Sequence, residues 1–169
     1  LPLCSTIMCI ISLLCFGGYT IMKKIALMSI KTKHSQKIFS GTKIWEFRKA
    51  PPKLKEGESL EIVVYSSQVE RAIVGKFSVE RIVSSKLEEL MQETGYGKDT
   101  DALEWFRSYY SNKELCSAIK ISDPVLFETP ITLAMIKKEI PSFCPPQNFV
   151  YIREDSDIGM LIQKHERSM

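Results

Sequence analysis

Short apolar runs alternate with polar, glycine- and proline-containing segments along most of the chain. The runs have the length of β-strands, and three longer stretches carry apolar residues at helical spacing. A polar stretch after the first run ends at Ser40-Gly41, which predicts a strand, a helix and a glycine stop. The predicted strands are residues 25–30, 43–48, 60–65, one or two within 72–83, 115–121 and 148–152.

The second predicted strand has two chemically different faces. Period-two alternation places Trp45 and Phe47 on one face, and Ile44, Glu46 and Arg48 on the other. Trp45 and Phe47 are therefore expected in the core, and the charged face is expected to point elsewhere.

Glycine and helical spacing add detail to the second half of the chain. Gly75 lies inside a strand pattern and predicts a bulge or a close backbone approach. Leu87, Leu90 and Met91 predict one helix, a second begins near Thr100 or Asp101 and contains Trp105 and Tyr110, and a third covers 133–140. The fold class expected from this pattern is mainly β with inserted helices (α+β), a small barrel rather than a parallel sheet of βαβ units.

Composition describes one ordinary globular domain. The chain has 169 residues, of which 44% are hydrophobic and 25% charged. Its five cysteines form no CxxC pair, and neither histidine is spaced to complete a zinc site. We predict no disulfide framework, no metal and no cofactor.

Positive charge is concentrated in one stretch. Residues 31–55 hold eight basic side chains and one acidic side chain, a local net charge of +7 in a chain whose formal net charge is +3. Such a concentration is typical of proteins with a phosphate-bearing partner, and equally of a solvated lysine-rich face.

The first residues are chemically unlike the rest. Residues 1–21 contain no charge, but the apolar part is short for a membrane span, and the basic residues follow it instead of preceding it. Met22-Lys23-Lys24 is typical of the start of a small cytoplasmic bacterial or phage protein. We therefore interpret 1–21 as upstream translation, with a short membrane anchor as the alternative. The domain is expected over 22–152, followed by a polar C-terminal tail over 153–169.

Five segments in order carry a family resemblance. The sequence S-G-T-K-I-W-E-F-R-K at 40–49 resembles the G-x-K-x-x-E-x-R signature of the ASCH family. Further matching segments are L-M-S-I at 27–30, Y-S-S at 65–67, A-I-V-G-K-F at 72–77 and P-P-Q-N-F-V-Y at 145–151. The last is similar to the P-P-Q-x-F-x-Y ending of a subgroup described as predicted transcriptional regulators.

The resemblance implies a PUA-like β barrel with a cleft between the barrel and the first helix, in a superfamily that binds RNA or modified bases. Some members are ribonucleases, and a bacterial branch removes the acetyl group from acetylcytidine. That branch uses G-x-K-x-x-T-x-R with a nucleophilic threonine. Lys43 and Arg48 match this pattern, but Glu46 stands at the threonine position, and Thr42 lies on the other side of the lysine.

The candidate site residues are mostly charged. Glu46 and Arg48 share a strand face, where they either orient a guanidinium toward a ligand or only fasten the strand to a neighbour. Lys43 begins the same strand. The ligand-binding candidates are Lys31, Lys33, Lys43, Glu46, Arg48, Ser66 and Ser67, with Lys43 and Glu46 as acid and base if the protein is an enzyme. Ordinary solvated surface is the competing interpretation for the lysines, and a plain turn for the serines.

Aromatic residues and one histidine complete the candidates. Tyr109, Tyr110 and Tyr151 are candidates for stacking on a base, although Tyr110 is expected in the core. His34 is a candidate acid or base without an identified partner.

We expect an RNA- or nucleotide-binding domain in the cytoplasm, with RNA or a modified nucleotide as partner. The alternative is a metal-independent ribonuclease or acetylcytidine hydrolase. A DNA-binding regulator ranks last, because no helix-turn-helix spacing is present.

Overall fold

The computed structural model describes residues 21–98, 100–111 and 113–168. Within them six strands and five helices follow one another along the chain. The strands are β1 Met22–Lys31, β2 Trp45–Arg48, β3 Glu58–Ser67, β4 Ala72–Ser85, β5 Cys116–Thr132 and β6 Phe149–Ile152. The helices are α1 Thr32–Phe39, α2 Leu87–Thr94, α3 Thr100–Tyr110, α4 Leu133–Glu139 and α5 Asp157–Glu166.

The strands form one mixed sheet in the order β2-β5-β4-β3-β1-β6. β1 and β3 run parallel, and the other neighbouring pairs are antiparallel. The predicted α+β class is confirmed. The sequence did not predict the parallel pair, which is connected through α1 and β2.

The predicted small barrel is an open one, because the sheet is not closed. Within the described residues no backbone pairing joins the edge strands β2 and β6. Each of these strands is only four residues long. Pro51-Pro52 follows β2 and Pro145-Pro146 precedes β6, and proline donates no ladder hydrogen bond that could lengthen either edge.

The two longest strands exceed their predicted lengths because they tolerate irregularities. β5 continues through Pro124 and Pro130 instead of stopping. The β4–β5 register shifts at both places: Ser122 and Val125 have partners in β4, as do Leu126 and Ile131, whereas the prolines between them have none. Proline fits a strand at such gaps, where no ladder hydrogen bond is required.

Three apolar clusters surround the sheet. The first packs β1, β3 and β4 against Ile38 of α1, and the second covers the opposite face with Ile136 of α4 and Ile162 of α5. The third joins Trp45 and Phe47 to α2 and α3. Trp45 and Phe47 are 3% and 8% exposed, which confirms their predicted place in the core.

Residues 153–169 were predicted as a polar tail, but most of them form α5. Ser156 caps this helix by accepting a hydrogen bond from the Gly159 amide. Ile162 is buried in the second cluster, and the Lys76 ammonium pairs with the Glu166 carboxylate. The apolar residues of α5 lie in one short run over 158–162, which is too short to distinguish a packed helix from a strand by its pattern.

Residues 1–20, which we interpreted with Ile21 as upstream translation, lie outside the described residues. Of the helices in 21–168 that the structure describes, none has the length and apolar character needed to cross a bilayer.

Gly75 is at a bulge and at a close approach, as predicted. The β3–β4 and β4–β5 registers both shift next to it. A Cβ placed there meets the Val125 carbonyl oxygen and lies 2.7 Å from Cζ of Phe39. The bare glycine therefore allows α1 and β5 to approach β4.

We expect Gly75→Ala to lower the free energy of unfolding by about 1–3 kcal/mol, because the added methyl group overpacks this contact. Urea denaturation measures the change. Gly97→Ala is the matched control, since its Cβ meets nothing closer than 3.4 Å. Equal stability of the two variants would contradict the proposed crowding at Gly75.

Candidate functional site

A cleft of about 980 Å³ opens between α1, β2, α3 and the segment before β6. Basic, aromatic and proline side chains dominate its walls. The lining residues that the argument uses are Lys31, Lys33, His34, Lys37, Thr42, Lys43, Glu46, Arg48, Ser67, Trp105, Tyr109, Pro145, Pro146 and Gln147.

The floor of the cleft holds three charged side chains, which we call the charged triplet: Lys43, Glu46 and Arg48. The Lys43 ammonium lies 2.5 Å from Oε2 of Glu46, and Nε of Arg48 lies 3.0 Å from Oε1. The Glu46 side chain is 6% exposed, and the other two are each 12% exposed. Both carboxylate oxygens therefore face a cation in a poorly hydrated place.

Arg48 also connects the two open edges of the sheet. Its Nη1 donates to Oδ1 of Asn148 over 2.9 Å, and its Nη2 donates to the Ser29 carbonyl over 2.7 Å. Its Nε makes no hydrogen bond, so the 3.0 Å approach to Oε1 of Glu46 is an ion pair only. The two hydrogen bonds join β2 to β1 and to the residue before β6. Among the described residues β2 pairs with neither of those strands.

The segment 145–148 is held against the same place. Nδ2 of Asn148 donates to the Ala50 carbonyl over 2.8 Å, and the Ser29 hydroxyl donates to the Pro146 carbonyl over 2.5 Å. Pro145, Pro146 and Gln147 consequently form one wall of the cleft.

Helix α1 is the basic wall and is anchored by buried hydroxyls. The Thr32 hydroxyl donates to the Ser67 carbonyl over 2.5 Å. Ser66 is fully buried, where its hydroxyl bonds to the hydroxyls of Thr32 and Ser35. The strand predicted at 60–65 is longer than expected, because β3 continues through Ser67. Ser67 lines the cleft, whereas Ser66 fixes the helix.

His34 lies on the cleft side of α1, and its pKa is lowered from 6.5 to about 4. Burial is the main cause, because it disfavours the charged imidazolium. The neighbouring Lys43 ammonium acts in the same direction. His34 is therefore neutral at physiological pH and can both donate and accept a hydrogen bond.

Helix α3 supplies an aromatic wall. Trp105 and Tyr109 are stacked, with ring centroids 5.1 Å apart and planes 6° apart. Of the predicted stacking candidates, Tyr109 lines this cleft, but Tyr151 lines a separate cavity beside Lys24. Tyr110 is buried, with its hydroxyl bonded to the Ser117 carbonyl, as expected of a core residue.

The structure brings most of the predicted residues to one place. Six of the seven ligand candidates line the cleft, and Ser66 does not. Sequence reasoning missed Lys37 and Trp105. The spacing of Trp105 and Tyr109, four residues apart on one helix, was a signal that they share a face.

The described residues contain no group of three or more histidine, cysteine, aspartate or glutamate side chains arranged to hold a metal ion.

The chain was compared with family models, curated proteins and solved structures. The family model for the ASCH domain matches residues 28–125. The structure of ASCH from Zymomonas mobilis has a TM-score of 0.70 at 25% identity, covering 83% of this chain and 94% of that one. A search of curated proteins finds no match.

Two more distant structures share the fold alone. A hypothetical protein from Leishmania major has a TM-score of 0.54 at 12% identity, covering 88% of this chain and 98% of that one. The N-terminal domain of McrB from Staphylothermus marinus has a TM-score of 0.51 at 11% identity, covering 90% and 98%.

Arg48→Ala is expected to lower the free energy of unfolding by about 3 kcal/mol or more, because a nearly buried carboxylate loses one of its two cations. Urea denaturation checks this. Arg153→Ala is the control, since Arg153 pairs with Asp155 on the surface, where such a pair contributes less than about 1 kcal/mol. Similar decreases in the free energy of unfolding of the two variants would mean that the charged triplet does not stabilise the fold.

The imidazole of His34 is expected to titrate near pH 4. The unfolded chain takes up this proton near pH 6.5, so stability falls as the pH drops from 6.5 toward 4. NMR titration of the ring signals, assigned with His34→Gln, measures the pKa. An inflection near pH 6.5 in the folded protein would contradict this environment.

Proposed function

The chain belongs to the ASCH domain family, and on this basis we propose that it is an RNA- or nucleotide-binding domain whose basic cleft holds the phosphates. The cleft between α1 and the sheet supports the proposal, because the resemblance in sequence implies a ligand cleft beside the first helix.

The observation that carries the proposal is a set of unpaired cations in the cleft. In the part of the chain that the structure describes, no carboxylate pairs with the ammonium groups of Lys31, Lys33 or Lys37. Glu46, the acidic side chain of the lining, already faces Lys43 and Arg48. An anionic ligand is the partner that these lysines lack, and phosphate is the anion that RNA and nucleotides present repeatedly.

The size and the other walls agree with such a ligand. A cleft of about 980 Å³ is at the upper end of the range for small-molecule sites, which is enough for a nucleotide. Neutral His34 and the Ser67 hydroxyl offer hydrogen bonds that do not depend on charge. The triplet then supplies Lys43 and Arg48 in fixed orientations beside the bound group.

A hydrolase is the second candidate, favoured by the close contact of Lys43 and Glu46 in a poorly hydrated position. A lysine and a carboxylate in such surroundings are eligible as acid and base. The contacts support binding better. Both Glu46 oxygens are occupied by cations, and the Thr42 hydroxyl donates to the Lys37 carbonyl over 3.2 Å instead of facing a base.

The double variant Lys33→Ala/Lys37→Ala is expected to weaken binding of short single-stranded RNA. If both lysines contact phosphates, the slope of log K against log salt decreases in magnitude by about 1.4. Fluorescence anisotropy at several salt concentrations measures both effects.

Lys137→Ala/Lys138→Ala is the matched control. It removes the same charge from exposed positions of α4 that do not line the cleft, so it should bind nearly as the unchanged protein does. Equal weakening by both pairs would indicate a nonspecific charge effect and contradict the proposed site.

A separate experiment tests the hydrolase alternative. RNA and added acetylcytidine are incubated with the protein for a long time and then recovered, and cleavage of either compound would favour catalysis.

A further inference from the structure

Trp105 is unusually exposed for a tryptophan whose ring is held in place. Its exposed fraction is 53%, although one side of the ring stacks on Tyr109. Phe106 packs against it edge-on, with ring centroids 4.9 Å apart and planes 82° apart. Two aromatic neighbours therefore fix the indole, while more than half of the Trp105 surface remains exposed and the residue lines the cleft.

Tyr109, beneath the indole, is itself fixed. Its hydroxyl donates to the Phe47 carbonyl over 3.3 Å, which ties α3 to β2. The Lys49 ammonium lies 5.1 Å from the centroid of the Tyr109 ring. Trp105 thus rests on a support that is bonded to β2, the strand that carries Glu46 and Arg48.

The two walls of the cleft differ in chemistry. α1 contributes cations, whereas α3 contributes an uncharged aromatic surface. A nucleotide has the same two parts, an anionic phosphate and a flat base with a π-face. Stacking of bases on aromatic side chains is a general means of holding single strands.

We infer that Trp105, supported by Tyr109, is a stacking platform for an unpaired base, and that the ligand of this cleft is therefore single-stranded RNA rather than a duplex. Inside a duplex each base is stacked on both sides by its neighbours, so only the terminal base pairs offer a free face to the indole. The inference rests on the proposed function, because it assigns the second wall of the same cleft.

The test compares pentauridylate, an abasic ribose-phosphate pentamer and a short RNA duplex. Unchanged protein should bind pentauridylate more tightly than either of the others. Trp105→Leu should weaken pentauridylate binding between about fivefold and about 150-fold, and should leave binding of the abasic pentamer unchanged. Trp105→Phe keeps a smaller ring, so its affinity for pentauridylate should lie between that of the unchanged protein and that of Trp105→Leu.

Tyr151→Leu is the matched control. It removes a comparably exposed aromatic ring beside a lysine, but outside this cleft. Its affinity for pentauridylate should equal that of the unchanged protein. Urea denaturation of each variant establishes that it is folded.

Tryptophan fluorescence gives a second readout. The chain has two tryptophans, and Trp45 is 3% exposed in the core. Pentauridylate should quench the emission of unchanged protein but not that of Trp105→Phe, in which Trp45 alone emits.

The outcomes separate the two proposals. If unchanged protein binds pentauridylate and the abasic pentamer equally, and Trp105→Leu changes neither affinity, the platform is refuted while phosphate binding stands. Tighter binding of the duplex also refutes the platform. If none of the three oligomers binds, the proposed function falls and the platform falls with it.

Discussion

The Glu46 carboxylate is the group on which the site and the open edges of the sheet depend. Its side chain is 6% exposed and faces two cations, so the carboxylate stabilises charges that would otherwise repel each other in a poorly hydrated place. Because Glu46 balances the Arg48 charge, the two terminal nitrogens of the guanidinium can donate to Ser29 and Asn148. One carboxylate on a four-residue strand thereby holds β2, β1 and the segment before β6 together.

The same carboxylate divides the basic residues of the cleft into two groups. Lys43 and Arg48 are compensated within the protein, so their main contribution is to fix positions. Lys31, Lys33 and Lys37 have no such partner among the described residues and present uncompensated charge to the cleft. The concentration of positive charge at 31–55 was visible in the sequence, but this division required the contacts of Glu46.

Features that depend on neighbouring residues could be predicted from the sequence. The alternation around Trp45 and Phe47 gave their burial, and Gly75 inside a strand gave a bulge and a close approach. Features that depend on distant contacts could not be predicted. The β1–β3 parallel pair, the open sheet and the packing of α5 all join segments far apart in the chain. The burial of Ser66 and the exposure of Trp105 could not be predicted for the same reason, since burial follows from what packs on a residue and not from its type.

Arg48 and Asn148 are 100 residues apart, and β2 finds its strand partner in β5, on the far side of α2 and α3. Closing such long loops is entropically costly and slow compared with forming local hairpins. During synthesis β3 and β4 can pair early, whereas β2 must wait for β5 and the cleft must wait for residue 148. A nascent chain that has not reached β5 therefore exposes the apolar side of β2, and the cleft forms only after residue 148 has been synthesised.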